Sequence, residues 1–336
     1  MQSIKAFRQG KRQECFLPSN ECSGCRTANQ EKIMDVHLKP IDDQVIVITG
    51  ASSGIGLATA REAVRRGAPV VLAARSDSAL KAIASELNGG SEKAITVACD
   101  VADRSQVENV AMTAIGRFGR IDTWVNDAGV SIYGRLDEVS ERDSRRLFDT
   151  NFWGIVNGSI AALPHLKRHG GALINLGSEV SEAVVPLQGM YSASKHAVKG
   201  FTDALRIEIC EVDQAPVSIT LIQPTAVNTP YPQHAKNYTG QEPKLPSPMI
   251  EAQQVAEAIL DAAVHPTHHR KVGMMAKVNT AVSNFAPSMA DKMAAKYVDR
   301  QHYDERPRSP DGALHQPSEK TTVVGQTSGT GGREAE

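Results

Sequence analysis

Lysine plus arginine (37) nearly cancel aspartate plus glutamate (38) over 336 residues; the formal net charge of -1 leaves no basic field for a phosphate backbone and speaks against nucleic acid as a partner. A hydrophobic share of 41% with 22% charged residues suits an ordinary folded domain and excludes disorder of the whole. No apolar run approaches the ~18 to 20 residues that cross a bilayer, so the cytosol is the default compartment.

Residues 1–38 show neither helical nor strand periodicity and read as a disordered leader. Arg8, Lys11, Arg12 and Arg26 would suit an organelle transit peptide, but Glu14, Glu21 and Glu31 are acids that such peptides avoid. Met34 offers an alternative start that would make the leader dispensable. Cys15, Cys22 and Cys25 crowd this segment, while Cys99 and Cys210 stand singly. A lone CxxC without further ligands reads as free thiols, not as a zinc site or part of a disulfide framework, and suits a reducing compartment.

From 45 onward, short runs of branched apolar residues alternate with amphipathic stretches. VIVIT (45–49) precedes a glycine turn and a helix to 67; PVVLAAR (69–75) precedes a helix over 78–89; AITVACD (94–100) precedes a helix over 105–119; IDTWVNDAG (121–129) follows. Apolar strands separated by helices imply right-handed βαβ units and a parallel sheet covered on both faces, a Rossmann-like doubly wound α/β fold in a single domain over 39–270. Helices around 144–165 and 192–210 and strands at 172–176 and 217–222 continue the pattern. Pro230, Pro232, Pro243, Pro246 and Pro248 mark an irregular segment suited to a binding loop, and helical periodicity resumes at 253–263. A helical extension over 271–304 is expected to break at Pro287; its apolar face favours packing on the domain or a sister subunit over a membrane. The polar, Pro/Ser/Gly-rich tail over 305–336 is expected to be disordered.

Directly after the first strand stands Gly50-Ala51-Ser52-Ser53-Gly54-Ile55-Gly56, and a helix follows at once. Gly50 permits the tight turn, Gly54 the approach of a pyrophosphate, and Gly56 close packing of helix on strand; backbone N–H groups and the Ser52 and Ser53 hydroxyls then face the anion. At the end of the second strand, where an NAD site places an acid on the ribose hydroxyls, stands Ala74, followed by Arg75. A guanidinium fork there suits a 2′-phosphate, so NADP(H) is favoured over NAD(H).

Tyr191 and Lys195 are four apart in a helical segment and share one face. An ammonium beside a phenol favours the phenolate and lowers a reference pKa of ~10 toward the working range of a proton donor and acceptor for an alcohol/ketone pair. Ser178 lies just past the strand at 172–176, and 126–129 ends the preceding strand in the same way, both where open parallel sheets place their ligand crevice.

Together TGASSGIG at 49–56, Asp100-Val101, NDAG at 126–129, Asn151, Ser178, YSASK at 191–195 and Pro224 through Thr229 resemble the short-chain dehydrogenase/reductase family, over about residues 42–270. The resemblance implies a catalytic tetrad: Tyr191 as general acid/base, Lys195 lowering its pKa and holding the nicotinamide ribose, Ser178 positioning the substrate carbonyl, and Asn151 organising a water for proton relay. It implies that Asp100 and Val101 contact adenine, that Asn126, Ala128 and Gly129 line the cofactor groove along with Gly50, Ser52, Ser53, Gly54, Ile55 and Gly56, and that Pro224, Val227 and Thr229 meet the carboxamide. Two departures stand out: Asp127 where asparagine is commoner, expected to lie on the sheet side away from the chemistry, and Thr225 where glycine is usual. The expected activity is NADP(H)-dependent interconversion of a carbonyl and a secondary alcohol, with a non-catalytic nucleotide-binding regulator as the alternative. Val184, Val185, Leu187, Tyr231 and Tyr238 suggest a hydrophobic substrate. The resemblance also implies a homodimer or homotetramer through the helices at 144–165 and 192–210. The histidines, including His165, His169, His265, His268 and His269, read as surface or core residues, and no metal is expected.

Overall fold

The computed structural model describes residues 36–90 and 92–325; Cys15, Cys22, Cys25, Met34 and the end of the tail from 326 lie outside the described residues. Seven parallel strands form the central sheet: β1 (Ile46–Thr49), β2 (Val70–Ala74), β3 (Ala94–Ala98), β4 (Thr123–Asn126), β5 (Gly171–Leu176), β6 (Val217–Pro224) and β7 (His269–Val272), in the spatial order β7-β6-β5-β4-β1-β2-β3. The chain moves outward from β1 through β2 to β3, then crosses back to β4 on the other side of β1. That reversal opens a crevice at the carboxyl ends of β1 and β4, where a doubly wound sheet receives its ligand.

Alternation along each strand divides the core into two layers. Ile46, Ile48 and Leu72 pack on one face with Leu57 of α1 (Gly54–Arg65) and Val255 and Ile259 of α7 (Ala252–Ala262). Val47, Val71 and Trp124 face the opposite layer, with Val107 of α3 (Arg104–Phe118), Leu163 of α5 (Gly154–His169) and Leu205 of α6 (Gly189–Arg206). Both faces are covered, so the central strands carry apolar residues on both sides. Helix starts are fixed locally: Ser76 accepts the Ala79 N–H to open α2 (Asp77–Asn88), and Asp103 accepts those of Ser105 and Gln106 to open α3. The helix α4 (Glu141–Phe148) runs into α5 through a π-helical turn at Asp149–Trp153.

Two features differ from the sequence reading. The seventh strand, β7, lies in a stretch where no strand was expected; its His-Arg-Lys-Val is half-buried and polar, so it lacks the apolar run that announces a buried strand, and pairing with β6 carries it. Beyond it come α8 (Met274–Phe285) and α9 (Pro287–Ala295), meeting at Pro287. The tail expected to be disordered from 305 instead runs back across the domain as an irregular strap through 325. Leu314 is fully buried against Val130, Ile132 and Leu147; the Asn237 N–H donates to the Pro310 carbonyl at 2.8 Å, and the Ala313 N–H to the His234 carbonyl at 2.7 Å. A segment without periodicity can still be held by scattered anchors of this kind. Among the described residues no helix is long and apolar enough to cross a membrane.

Candidate active site

The loop leaving β1 closes because two of its positions cannot carry a side chain. Gly50 has φ +74°, and a Cβ there would stand 2.8 Å from the Ala128 backbone; a Cβ on Gly56 would meet the Gly50 carbonyl oxygen at 2.5 Å and Asp127 Oδ2 at 2.7 Å. Ser53 caps α1 by position without giving its hydroxyl to the helix. Around this loop lies a cavity of about 270 Å³ lined by Gly50, Ser52, Ser53, Gly54, Ile55, Arg75, Asp100, Val101, Ala128, Gly129, Ser178, Tyr191, Lys195, Pro224, Val227 and Thr229. Sixteen of the nineteen site residues expected from the sequence thus share one cavity wall.

The remaining three, Gly56, Asn126 and Asn151, work from behind it. Gly56 lies beneath the Gly50 turn. Asn126, expected to line the groove, is buried in a side-chain chain: its amide donates to Asn175 at 2.9 Å, and its oxygen accepts from the Trp124 indole at 2.8 Å. It locks β4 to β5. The π-helical turn aims the Asn151 side chain at the 128–130 turn, where it accepts the Val130 N–H at 2.8 Å and donates to the Val130 carbonyl at 2.9 Å and to Ser194 at 3.2 Å. Both ends of its amide are engaged, so its side chain ties the cavity wall to α6.

The reacting end gathers Ser178, Tyr191 and Lys195. Ser178 Oγ accepts the Val180 N–H at 3.3 Å, which leaves its own O–H to donate. Lys195, one turn after Tyr191 on α6, donates to the Leu176 carbonyl at 2.7 Å and lies 5.7 Å from the Tyr191 ring centroid. Burial pushes the Tyr191 phenol up to about 12; the Tyr231 and Ser178 hydroxyls pull it back, while the Asp127 and Glu179 carboxylates push it further up. Desolvation is thus the largest influence on the phenol. The same burial lowers Lys195 to about 8, opposed by Asp127.

Asp127 is correspondingly not remote from the chemistry. It lines the cavity, accepts the Gly56 N–H and feels the Lys195 charge, while burial raises it to about 7. The sequence reading also missed the hydrogen-bonding part of Tyr231: its ring stands edge-on to Tyr191 at 5.3 Å, and its hydroxyl lies 2.7 Å from both Ser131 Oγ and Gln188 Oε1. A tyrosine two residues past Thr229 was the available signal. Thr225, the departure from glycine, packs its methyl over Gly273 and gives its hydroxyl to Glu179 at 3.1 Å, while its N–H bonds the Val272 carbonyl of β7 at 3.0 Å.

At the far end, Arg75 is unpaired with Asp77, which instead meets Lys81 at 2.6 Å. Burial, and then the nearby Arg146, lower the Arg75 pKa. Asp100 accepts from Arg146 at 2.6 Å.

The family described as short chain dehydrogenase matches residues 44–238. The chain belongs to the short-chain dehydrogenases. It is 45% identical over 276 residues, 81% of this chain and 77% of the relative, to the uncharacterized oxidoreductase YxnA of Bacillus subtilis (strain 168). It is 35% identical over 219 residues, 65% of this chain and 62% of the relative, to 11-beta-hydroxysteroid dehydrogenase A of Sesamum indicum. Among solved structures, this short-chain dehydrogenase is similar to an alcohol dehydrogenase of the archaeon Thermococcus sibiricus complexed with 5-hydroxy-NADP, at 31% identity and TM-score 0.58 over 68% of this chain and 94% of that one. A Burkholderia phymatum family member in complex with NAD gives 25% identity and TM-score 0.67 over 75% and 96%.

Proposed function

We propose that this short-chain dehydrogenase interconverts a ketone and a secondary alcohol with NADP(H). The observation that carries the reading is the convergence, on one cavity, of a proton donor (Tyr191), a hydroxyl donor beside it (Ser178), a buried ammonium (Lys195) and a glycine loop at a helix start, with Arg75 at the opposite end. When bound, the nicotinamide supplies or accepts the hydride. In reduction, Tyr191 gives its phenolic proton to the substrate oxygen while Ser178 donates a hydrogen bond to the charge building there, the kind of fixed dipole that acts most strongly in the transition state. Lys195, held by the Leu176 carbonyl, keeps positive charge one turn from the phenol. Arg75 and the Ser76 hydroxyl are the groups suited to a 2′-phosphate, since β2 ends without an acid.

A second cavity of about 120 Å³ supports an apolar substrate. It shares Glu179, Val180, Val185 and Thr225 with the first and extends under the helical extension to Met275, Val282, Met293 and Tyr297. Glu179 stands at the junction, one carboxylate oxygen held by Asn279 (3.0 Å) and Thr225 (3.1 Å), the other without a hydrogen-bond partner among the described residues. The substrate we infer is thus elongated and apolar, with its carbonyl beside Tyr191. Exposed Trp153, Ile160 and Ile207 on or beside α5 and α6 support self-association through those helices.

The test is fluorescence titration with NADPH and NADH, followed by a screen of apolar ketones. Binding of NADPH and turnover that Tyr191→Phe removes would support the assignment; binding of neither cofactor would refute it.

A further inference from the structure

Over residues 313–322 the C-terminal strap lies on the donors assigned above to the phosphates of a nucleotide. Arg75 donates to the carbonyls of Leu314, at 3.2 Å, and Ala313. Glu319 accepts from Ser76 Oγ at 2.7 Å and from Ser78 Oγ, at the start of α2, where Ser76 is also the helix cap. The N–H of Gly54, the first residue of α1, donates to the Thr322 carbonyl at 3.0 Å. A guanidinium fork, two hydroxyls and a helix-start N–H each face an oxygen of one short segment.

The surroundings favour an oxyanion at this place. Arg146 Nε reaches the same Leu314 carbonyl at 3.3 Å. His234 lines the cavity with a buried Nε2 that has no hydrogen-bond partner, and burial with the charges of Lys320 and Arg75 holds its pKa down at about 4. A carboxylate on these donors resembles a phosphate monoester: both accept several hydrogen bonds from hydroxyls at a helix start.

We propose that the strap is a tethered occupant of the adenosine end of the cavity, with Glu319 in the seat of the 2′-phosphate, so that NADP(H) binds by displacing it. This inference rests on the oxidoreductase reading given above. Two anions cannot share Ser76 and Ser78 without strong repulsion. Being part of the same chain, the carboxylate acts at a high effective concentration, and the apparent affinity of the competing nucleotide falls by the fraction of molecules whose strap is open. NAD(H) has no 2′-phosphate and does not contest that seat. Glu319 is therefore a cofactor-selecting residue that weighs against NADP(H) more than against NAD(H).

The test is calorimetric titration of the full chain and of Glu319→Gln with 2′,5′-ADP and with ADP, alongside deuterium exchange of the wild type with and without 2′,5′-ADP. Glu319→Gln is expected to bind 2′,5′-ADP about fivefold more tightly and ADP within about twofold of wild type, since a screened unit charge on an exposed site contributes up to about that much. On binding, the Ala313 and Asn237 amides, which hold the strap to the domain, are expected to exchange faster. Unchanged or weaker 2′,5′-ADP binding by Glu319→Gln, or slower exchange of those amides in the complex, overturns the proposal and leaves the oxidoreductase reading standing. Failure of both proteins to bind either nucleotide, or NADPH, overturns both.

Discussion

The two ends of the cavity are built in different ways. At the reacting end, Ser178 comes from the turn after β5 and Tyr191 and Lys195 from α6, and their contacts to Val180, Leu176 and Tyr231 lie 2, 19 and 40 positions away in the chain. At the adenosine end, Arg75, Ser76 and Gly54 are held by residues 239, 243 and 268 positions away in the chain, all in the strap, as the pairs Arg75 with Leu314, Ser76 with Glu319 and Gly54 with Thr322 show. A site end made of local contacts is rigid before any ligand arrives. One made with a distant segment can open by local release, since a strap with few buried anchors unfolds at a small fraction of the global cost.

The largest expected effect falls at the reacting end. Tyr191→Phe removes the phenolic proton while keeping the ring against Tyr231, so turnover of a ketone should fall about a thousandfold, within the range that positioned acid/base groups contribute. NADPH binding should stay within about threefold. Steady-state rates with a parallel binding titration check this, and a variant retaining more than a tenth of the rate would remove Tyr191 from the acid role.

Arg75→Ala probes the opposite end with a smaller effect. It deletes a fork suited to a phosphate but also frees the Ala313 and Leu314 carbonyls that hold the strap, so part of the lost affinity is offset. NADPH is expected to bind about tenfold more weakly and NADH within about threefold. Equal weakening of both would mean that Arg75 serves the fold, not the 2′-phosphate.

Leu314→Ala sharpens the comparison further. Leu314 is fully buried, and its truncation in a rigid core would cost about 2 to 5 kcal/mol. In a strap that opens locally, the loss is confined to strap docking. Scanning calorimetry should show a main transition shifted by less than about 2 °C, while 2′,5′-ADP binds a few-fold more tightly. A large drop in Tm would instead make residues 313–315 part of the cooperative core.

This contrast also explains what was legible in the sequence. VIVIT, the glycine loop and Tyr-x-x-x-Lys are local patterns whose periodicity or spacing states their geometry, and a parallel sheet covered on both faces follows from the βαβ rhythm. The seventh strand was not legible, because His269–Val272 is polar and takes its conformation from pairing with β6. The strap was not legible either: its anchors, Leu314 and Glu319, are single residues in a Pro/Ser-rich tail, and single anchors leave no period. Asn126 and Asn151 were found by motif, but their side chains face inward to Asn175 and Val130, a direction that spacing alone does not give.

The smallest expected effect comes from the departure at Asp127, and it tests how closed the reacting end is. Its carboxyl, raised to about 7 by burial, becomes charged within the range in which such a reaction is assayed. Once charged, it opposes the Tyr191 phenolate and supports the Lys195 ammonium. Asp127→Asn removes both influences. The direct one lowers the phenol pKa, so the rising limb of alcohol oxidation against pH, which follows phenolate formation, should move toward acid by about half a unit. The indirect one lowers the Lys195 pKa further below about 8, so the ammonium is lost earlier as the pH rises and supports the phenolate less. A pH profile of kcat, measured at saturating cofactor, reads the net shift. An unshifted profile would mean that the Gly56 N–H insulates Asp127 from the tyrosine, whereas a shift toward alkali would mean that support of the ammonium outweighs repulsion of the phenolate.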